Sequence, residues 1–254
     1  MREPRVSEQW SADDLMIVNA ARQLCDDTVC FVGIGLPSTA ANLARRTHAK
    51  ECTLIYESGC IGSKPTRLPL SIGDGDLADT ADSVVSVPEI FAYWLQAGRV
   101  DVGFLGAAQL DRYGNINSTV IGDYARPTTR LPGAGGAPEI AASAGEVIVI
   151  VRQGPRTFVE RCDFRTSVGF GDGKGDRARL GLRGRGPQIV ITDLGILRPD
   201  PDTGELLQTA LHPGVTAEQA VAATGWSLRL AGELEVTDPP TANELAALAA
   251  LRAA

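Results

Sequence analysis

Histidine is nearly missing from this chain: of 254 residues only His48 and His212 are histidine, far apart and neither in an H-E-x-x-H pair. A histidine-built metal centre or catalytic triad therefore has little support. Five cysteines, Cys25, Cys30, Cys52, Cys60 and Cys162, form an odd set with no C-x-x-C pair. They point to neither a disulfide framework nor a zinc knuckle, and read mostly as buried thiols. No apolar run approaches the roughly 18 to 20 residues that span a bilayer. The start, Met1-Arg2-Glu3-Pro4-Arg5, leads into polar residues rather than an apolar signal core. Concentrated positive charge is absent as well; a net charge of -7 with scattered Lys and Arg argues against a nucleic-acid surface. These absences lead us to expect a cytoplasmic protein with small-molecule or protein partners, no nucleic acid and no membrane.

What is present is an alternation of apolar strands and helices. Ser11 can cap a helix in which Leu15, Val18, Ala21 and Leu24 recur every three or four positions. Val29 to Val32 then reads as a buried strand, and Gly33-Ile34-Gly35-Leu36-Pro37 turns it into a second helix reaching about Arg46. The rhythm continues with a strand over 83–87, a helix from Pro88 to Trp94, a strand over 100–105, a helix over 138–144 and the β-branched run Val147 to Val151. Strands over 188–192 and 205–209 follow, and Thr216 with Gln219 and Thr241 with Glu244 form two capping boxes. The pattern predicts one α/β domain: an open, largely parallel sheet with flanking helices. It carries an inserted glycine-rich loop at about 169–186, whose seven glycines read as mobile. Gly173-Lys174 is followed by Gly175, so the loop lacks the phosphate-loop pattern.

Three constellations carry chemistry. Thr53-Leu54-Ile55 runs straight into Tyr56-Glu57-Ser58-Gly59-Cys60-Ile61-Gly62, placing Glu57 at a tight strand end where small neighbours admit another molecule. Glu57 is a candidate nucleophile or base; the plain alternative is a solvated loop charge. Gly33 and Gly35 bring backbone N–H groups to a helix start, a natural anion position, or serve only the turn. In the second constellation a strand ends at Gly106-Ala107-Ala108, and Gln109, Asp111 and Asn115 either orient a substrate or satisfy a polar turn. In the third, Gly133, Gly135, Gly136 and Ala137 precede a helix and can aim several N–H groups at one point, as an oxyanion hole does.

Taken in order, GIGLP at 33–37, ESGCIG at 57–62, DVGFLGAAQLDRYGNINST at 101–119, GAGGAPE at 133–139 and HPGVTAEQAVAATGW at 212–226 resemble the β-subunits of class I coenzyme A transferases. The resemblance covers nearly the whole chain. It implies an acyl-CoA substrate with no separate cofactor, and an α-subunit of related fold that completes the site, usually as an α2β2 heterotetramer. It also implies that Glu57 is the active-site glutamate, that Gly133, Gly135, Gly136 and Ala137 contact CoA or the oxyanion, and that Gly33, Gly35, Ser58, Gly59, Gln109 and Asn115 border the substrate.

Within the family the chain most resembles the branch of cholesterol ring-cleaving hydrolases. Ser58 stands where many transferases have Asn, and Pro138-Glu139 where Asp is usual. The expected reaction is then water addition to a cyclic β-keto acyl-CoA and C–C cleavage, with Glu57 or a carboxylate of the α-subunit as general base. The alternatives are CoA transfer between carboxylates through a glutamyl-CoA intermediate, and a non-catalytic supporting subunit.

Overall fold

A computed structural model describes residues 10–253; the N-terminal reading at Met1 to Arg5 lies outside them. The chain runs α1 (Ala12–Ala21), β1 (Val29–Val32), α2 (Leu36–Thr47), β2 (Thr53–Tyr56), β3 (Cys60–Ile61), α3 (Gly75–Asp79), β4 (Ser83–Val84) and α4 (Val87–Glu89). A π-helical turn, Ile90–Leu95, continues α4 and is followed by β5 (Val102–Leu105), β6 (Gln109–Asp111), β7 (Ile116–Asn117), β8 (Val120–Gly122) and β9 (Pro127–Arg130). The second half holds α5 (Ala137–Ser143), β10 (Glu146–Ile150), β11 (Phe158–Val159), α6 (Asp176–Arg179), β12 (Pro187–Ile191) and β13 (Gly195–Pro199). It ends with β14 (Leu206–Leu211), α7 (Ala217–Ala222), β15 (Arg229–Val236) and α8 (Ala242–Ala253).

Ten strands form one sheet in the order β15-β14-β13-β12-β10-β5-β1-β2-β3-β4. The five central strands, β12, β10, β5, β1 and β2, are mutually parallel; antiparallel pairs join β13 and β3 to this centre. Alternating side chains of each central strand enter two cores. Cys30, Val32, Leu54, Tyr56, Ile148 and Ile150 face the layer made by α1, α2 and α8, whereas Phe31, Ile55, Val147 and Val149 pack with Ile90, Leu95, Ile140 and Phe158. Burial on both faces explains why these strands are continuous apolar runs. The sheet is thus the open, mostly parallel α/β arrangement expected from the sequence.

The central order places β2 on one side of β1 and the later strands on the other, so the chain changes direction between β1 and β5. At such a switch point the loops leaving the carboxyl ends of neighbouring strands diverge and open a crevice for ligands. Gly33 leaves β1 there, and Glu57 leaves the adjacent strand β2.

Some local expectations are corrected. The strand expected over 83–87 stops at Val84, because Ser86 caps α4: its hydroxyl accepts from Glu89 N–H, and its own N–H donates to the Glu89 carboxylate at 2.8 Å. The helix expected from Pro88 to Trp94 is π-helical over most of its length. Gln96 N–H donates to Phe91 C=O at 2.8 Å and Arg99 N–H to Trp94 C=O at 2.9 Å, both five residues back. The strand expected over 205–209 lies at Leu206–Leu211.

Two buried side chains tie the glycine-rich loop to the body. Asn115 Oδ1 accepts from Gly169 N–H at 2.9 Å and Gly171 N–H at 3.2 Å, while its amide donates to Gly171 C=O at 2.7 Å. Arg177 donates only to backbone carbonyls, among them Gly169, Gly184 and Ala141.

Candidate active site

Glu57 follows directly on β2 and is half-buried. The turn after it is fixed from both sides: Gly59 N–H donates to Tyr56 C=O at 3.0 Å, and Gly59 C=O accepts from Val85 N–H at 3.0 Å. Gly59 has φ +104°, and a Cβ there would collide with the Val85 carbonyl, so only glycine permits this turn. Ser58 Oγ lies 3.5 Å from Cys60 Sγ, and Cys60 is buried. Below the turn the Tyr56 ring is fully buried, and burial pushes its phenol pKa up.

The distant segment Gly133–Gly136 comes back to this carboxylate. It is held through Ser118, whose C=O accepts from Gly133 N–H at 2.9 Å and whose hydroxyl donates to Gly133 C=O at 2.8 Å. A Cβ placed on Gly136 would lie 3.4 Å from Glu57 Cδ and 2.8 Å from Phe91 Cζ. Glu57, Phe91 and Gly136 therefore converge, although the first and the last are 79 positions apart in the chain. Phe91 comes from the π-helical turn and packs on Phe31 of β1, with ring centroids 5.9 Å apart. The sequence reading missed Phe91, because the spacing of apolar residues over Ile90–Leu95 does not distinguish a π turn from an α turn.

Around this point the backbone is open. A Cβ built on Gly33, Gly35, Gly133 or Gly135 would meet nothing within 4 Å. Gly35 precedes α2, which has no side-chain cap; Pro37 in its first turn has no N–H and Thr39 N–H donates to Gly35 C=O at 3.0 Å, so the amides of Leu36 and Ser38 are the ones this helix start presents at the same edge of the sheet as Glu57. Ala137 begins α5 and Pro138 lies in its first turn. Glu139 is committed to the helix itself, where its carboxylate accepts from Ser143 Oγ at 2.7 Å.

Gln109 and Asn115 belong to a separate, buried network. Gln109 Oε1 accepts from Asn117 Nδ2 at 2.7 Å and Asp163 N–H at 3.0 Å, and Gln109 Nε2 donates to Asp163 at 3.1 Å. Asn115 is fully buried and donates to both Asp111 carboxylate oxygens, at 3.0 and 2.9 Å. Burial holds the Asp111 pKa above the usual carboxylate value, against the pull of those donors. The structure thus gathers Glu57, Ser58, Gly59, Gly136 and Ala137 at one edge and fixes Gln109 in β6 and Asn115 in the turn by buried hydrogen bonds. Among the described residues no cluster of three or more His, Cys, Asp or Glu side chains is placed to hold a metal ion, and no helix is long and apolar enough to cross a membrane.

A carboxylate thus stands at the carboxyl edge of a parallel sheet, faced by glycine backbone. Residues 14–223 match the coenzyme A transferase family, and the chain belongs to it. It is 61% identical over 244 residues to the β-subunit of the 3-oxoadipate CoA-transferase of Pseudomonas knackmussii, covering 96% of this chain and 94% of that protein. The crystal structure of glutaconate coenzyme A-transferase from Acidaminococcus fermentans superposes with a TM-score of 0.88 at 34% identity, covering 93% of this chain and 92% of that one.

The cholesterol ring-cleaving hydrolase IpdB subunit of Mycobacterium tuberculosis is only 28% identical over 201 residues, covering 73% of this chain and 80% of that protein. The hydrolase branch and its C–C cleavage are therefore corrected: likeness across the full length favours the transferases. Of the two departures from the family pattern, Glu139 is engaged by Ser143 within α5.

Proposed function

We propose that this chain is the β-subunit of a CoA transferase that moves CoA between an acyl-CoA and a dicarboxylate of the 3-oxoadipate type. The carrying observation is the convergence of Glu57 with Gly136, which sets a carboxylate beside exposed backbone at the ligand edge of the sheet. The transferase relatives support the reaction and its substrate class. The Pseudomonas relative is itself one subunit of its enzyme, which supports an α-subunit that completes the cleft here, with α2β2 as the proposed assembly. The cytoplasm is the proposed compartment; all five cysteines are free thiols, as a reducing environment favours.

In the proposed reaction the Glu57 carboxylate attacks the thioester carbonyl and CoA thiolate departs, leaving an acyl-glutamyl anhydride. The thiolate then attacks the Glu57 carbonyl, releasing the first carboxylate and forming a glutamyl-CoA thioester. The acceptor carboxylate repeats the two steps in reverse. Each tetrahedral intermediate carries an oxyanion, for which the amides of Gly135 and Gly136 are the proposed donors, the Ala137 N–H being taken by Ala134 C=O at 3.1 Å; losing one such donor typically costs about 3 kcal/mol. A carboxylate is a weak nucleophile in water, and gains from being held against the thioester in a drier site.

The test uses the co-purified two-subunit complex with 3-oxoadipyl-CoA. Without an acceptor, mass spectrometry is expected to find CoA attached to the peptide containing Glu57, and adding a free carboxylate should discharge it. Glu57→Gln should form no adduct and lose at least a hundredfold in turnover. Undiminished turnover by Glu57→Gln would overturn the assignment.

A further inference from the structure

Arg177 is 9% exposed and has no acidic partner among the described residues. Its guanidinium makes five hydrogen bonds to four backbone carbonyls. Nε and Nη2 donate to Gly184 C=O at 2.9 and 2.7 Å, Nη1 donates to Val168 and Gly169 C=O at 3.2 and 2.8 Å, and Nη2 donates to Ala141 C=O at 2.9 Å. Burial lowers its pKa to about 10, so it remains charged at neutral pH. Partial negative charges on carbonyls replace the missing carboxylate.

Those carbonyls are not scattered. Ala141 lies in the last turn of α5, where helix carbonyls have no partner within the helix. The neighbouring Ala142 C=O accepts from Gly184 N–H at 2.8 Å, and Gly145 C=O accepts from Arg185 N–H at 2.9 Å. A Cβ on Gly184 would collide with Ala144 C=O, so the loop passes directly against the helix end. The glycine-rich loop is therefore the C-terminal cap of α5, and Arg177 clasps both ends of that cap. At the opposite end α5 begins beside Gly136, where an added Cβ would run into Phe91 and come within 3.4 Å of Glu57 Cδ.

We propose that Arg177 is a positioning residue for the Glu57 site: its clasp on the end of α5 fixes where that helix, and hence Gly136, stands relative to the Glu57 carboxylate. This rests on the proposed role of Glu57. A helix of seven residues has little stability of its own, so its placement depends on what holds its ends. Because the residue acts on geometry rather than on bound substrate, its loss should slow the acylation of Glu57 and leave substrate affinity nearly intact.

The experiment compares Arg177→Ala and Arg177→Lys with Arg183→Ala in the assembled complex. Arg183 lies in the same loop, donates to Ala97 C=O at 3.3 Å and does not reach α5 through its side chain. We expect Arg177→Ala to lower kcat and the rate of Glu57–CoA adduct formation together by at least tenfold, with KM for the acyl-CoA within about threefold. Millimolar guanidinium should restore part of kcat, and Arg183→Ala should behave as the wild type. Arg177→Lys keeps the charge but lacks the planar fork that reaches several carbonyls at once, so it should fold and show an intermediate loss. Unchanged kcat in Arg177→Lys and Arg177→Ala, or a rise in KM at constant kcat, would overturn the proposal. If Arg177→Ala does not assemble, the lysine variant decides by the same two readouts. Glu57→Gln is run alongside: full turnover there refutes the role of Glu57, whereas an inert Glu57→Gln with a fully active Arg177→Ala refutes only the clasp.

Discussion

Substituting alanine for Gly136 separates the geometry of the site from the stability of the fold. Gly136 has φ −81° and ψ −2°, a conformation open to any L-residue, so the backbone tolerates the change. The new methyl group would stand 2.8 and 3.0 Å from Phe91 Cζ and Cε1 and 3.4 Å from Glu57 Cδ. Relaxed carbon–carbon contacts lie at about 3.5–4.0 Å, so the ring or the helix start must retreat by roughly 1 Å. Overpacking of this kind costs about 1–3 kcal/mol, while removing a glycine from the unfolded chain returns about 0.4–1 kcal/mol. The net loss of stability is then at most about 2.5 kcal/mol, a fall in Tm of several degrees for a chain of this size. A misplacement of about 1 Å at a reacting group can cost about a hundredfold in rate.

Gly136→Ala is therefore expected to yield a folded, assembled enzyme with kcat reduced on the order of 10- to 100-fold. Steady-state CoA transfer and thermal unfolding of the complex measure the two effects separately. Gly232→Ala is the control, since a Cβ there meets nothing within 4 Å. Adding Phe91→Leu to Gly136→Ala removes the ring edge and should recover a substantial part of the lost rate. Full kcat in Gly136→Ala would refute the reasoning, because Glu57 would then work without its contact to this segment.

Other predictions concern the buried polar groups. His212 is buried and neutral, accepting from Thr237 Oγ1 at 2.7 Å and donating from Nε2 to Thr192 C=O at 2.8 Å. Burial lowers its pKa from 6.5, partly opposed by the Thr192 bond and Asp193. Below pH 6.5 the unfolded chain therefore binds a proton that the fold refuses. Stability should be complete above that pH and fall below it by up to about 1.4 kcal/mol per pH unit until the folded pKa is reached. His212→Gln should flatten this slope in urea titrations at pH 5–7, and an unchanged slope would assign it to other groups. Asn115→Ala should cost about 2–4 kcal/mol, because it strips the buried Asp111 carboxylate of its side-chain donor, leaving it only the backbone N–H groups of residues 113 and 115, and leaves two loop amides without partners. It should also speed amide exchange at Gly169 and Gly171. A loss below about 1 kcal/mol would mean that these bonds contribute little.

The sequence made the centre of the fold legible because burial on both sides of β1, β5 and β10 demands unbroken apolar strands, and runs such as Val147 to Val151 have no polar interruption. The cap at Ser11 and the capping boxes at Thr216 and Thr241 were equally readable, since a cap acts within three residues. Strand β15 was not: Arg229–Val236 alternates charged and apolar residues at a largely exposed edge, and only its pairing with β14 makes it a strand. At the site, Glu57 and the glycines at 133–136 stood out locally, but their meeting depends on long-range closure that no spacing encodes. Phe91 was invisible because apolar spacing does not reveal the π-helical turn that aims it at this point. Hydrolases and transferases share the short motifs, so the branch was decided by identity along the whole chain.

The way the glycine-rich loop is held also sets its response to temperature. What secures it at Asn115 and Arg177 is hydrogen bonding to peptide groups rather than buried hydrocarbon, and Leu180 at its tip is 45% exposed. Opening the loop would hydrate peptide groups, which carry little or negative heat capacity, whereas opening the sheet would hydrate apolar side chains, which carry a large positive one. The free energy of loop opening should then change almost linearly with temperature, while that of the sheet follows a dome. Cooling would weaken the apolar core sooner than it weakened this clasp, so α5 would keep its cap at temperatures where the strands beneath it had begun to lose their hold.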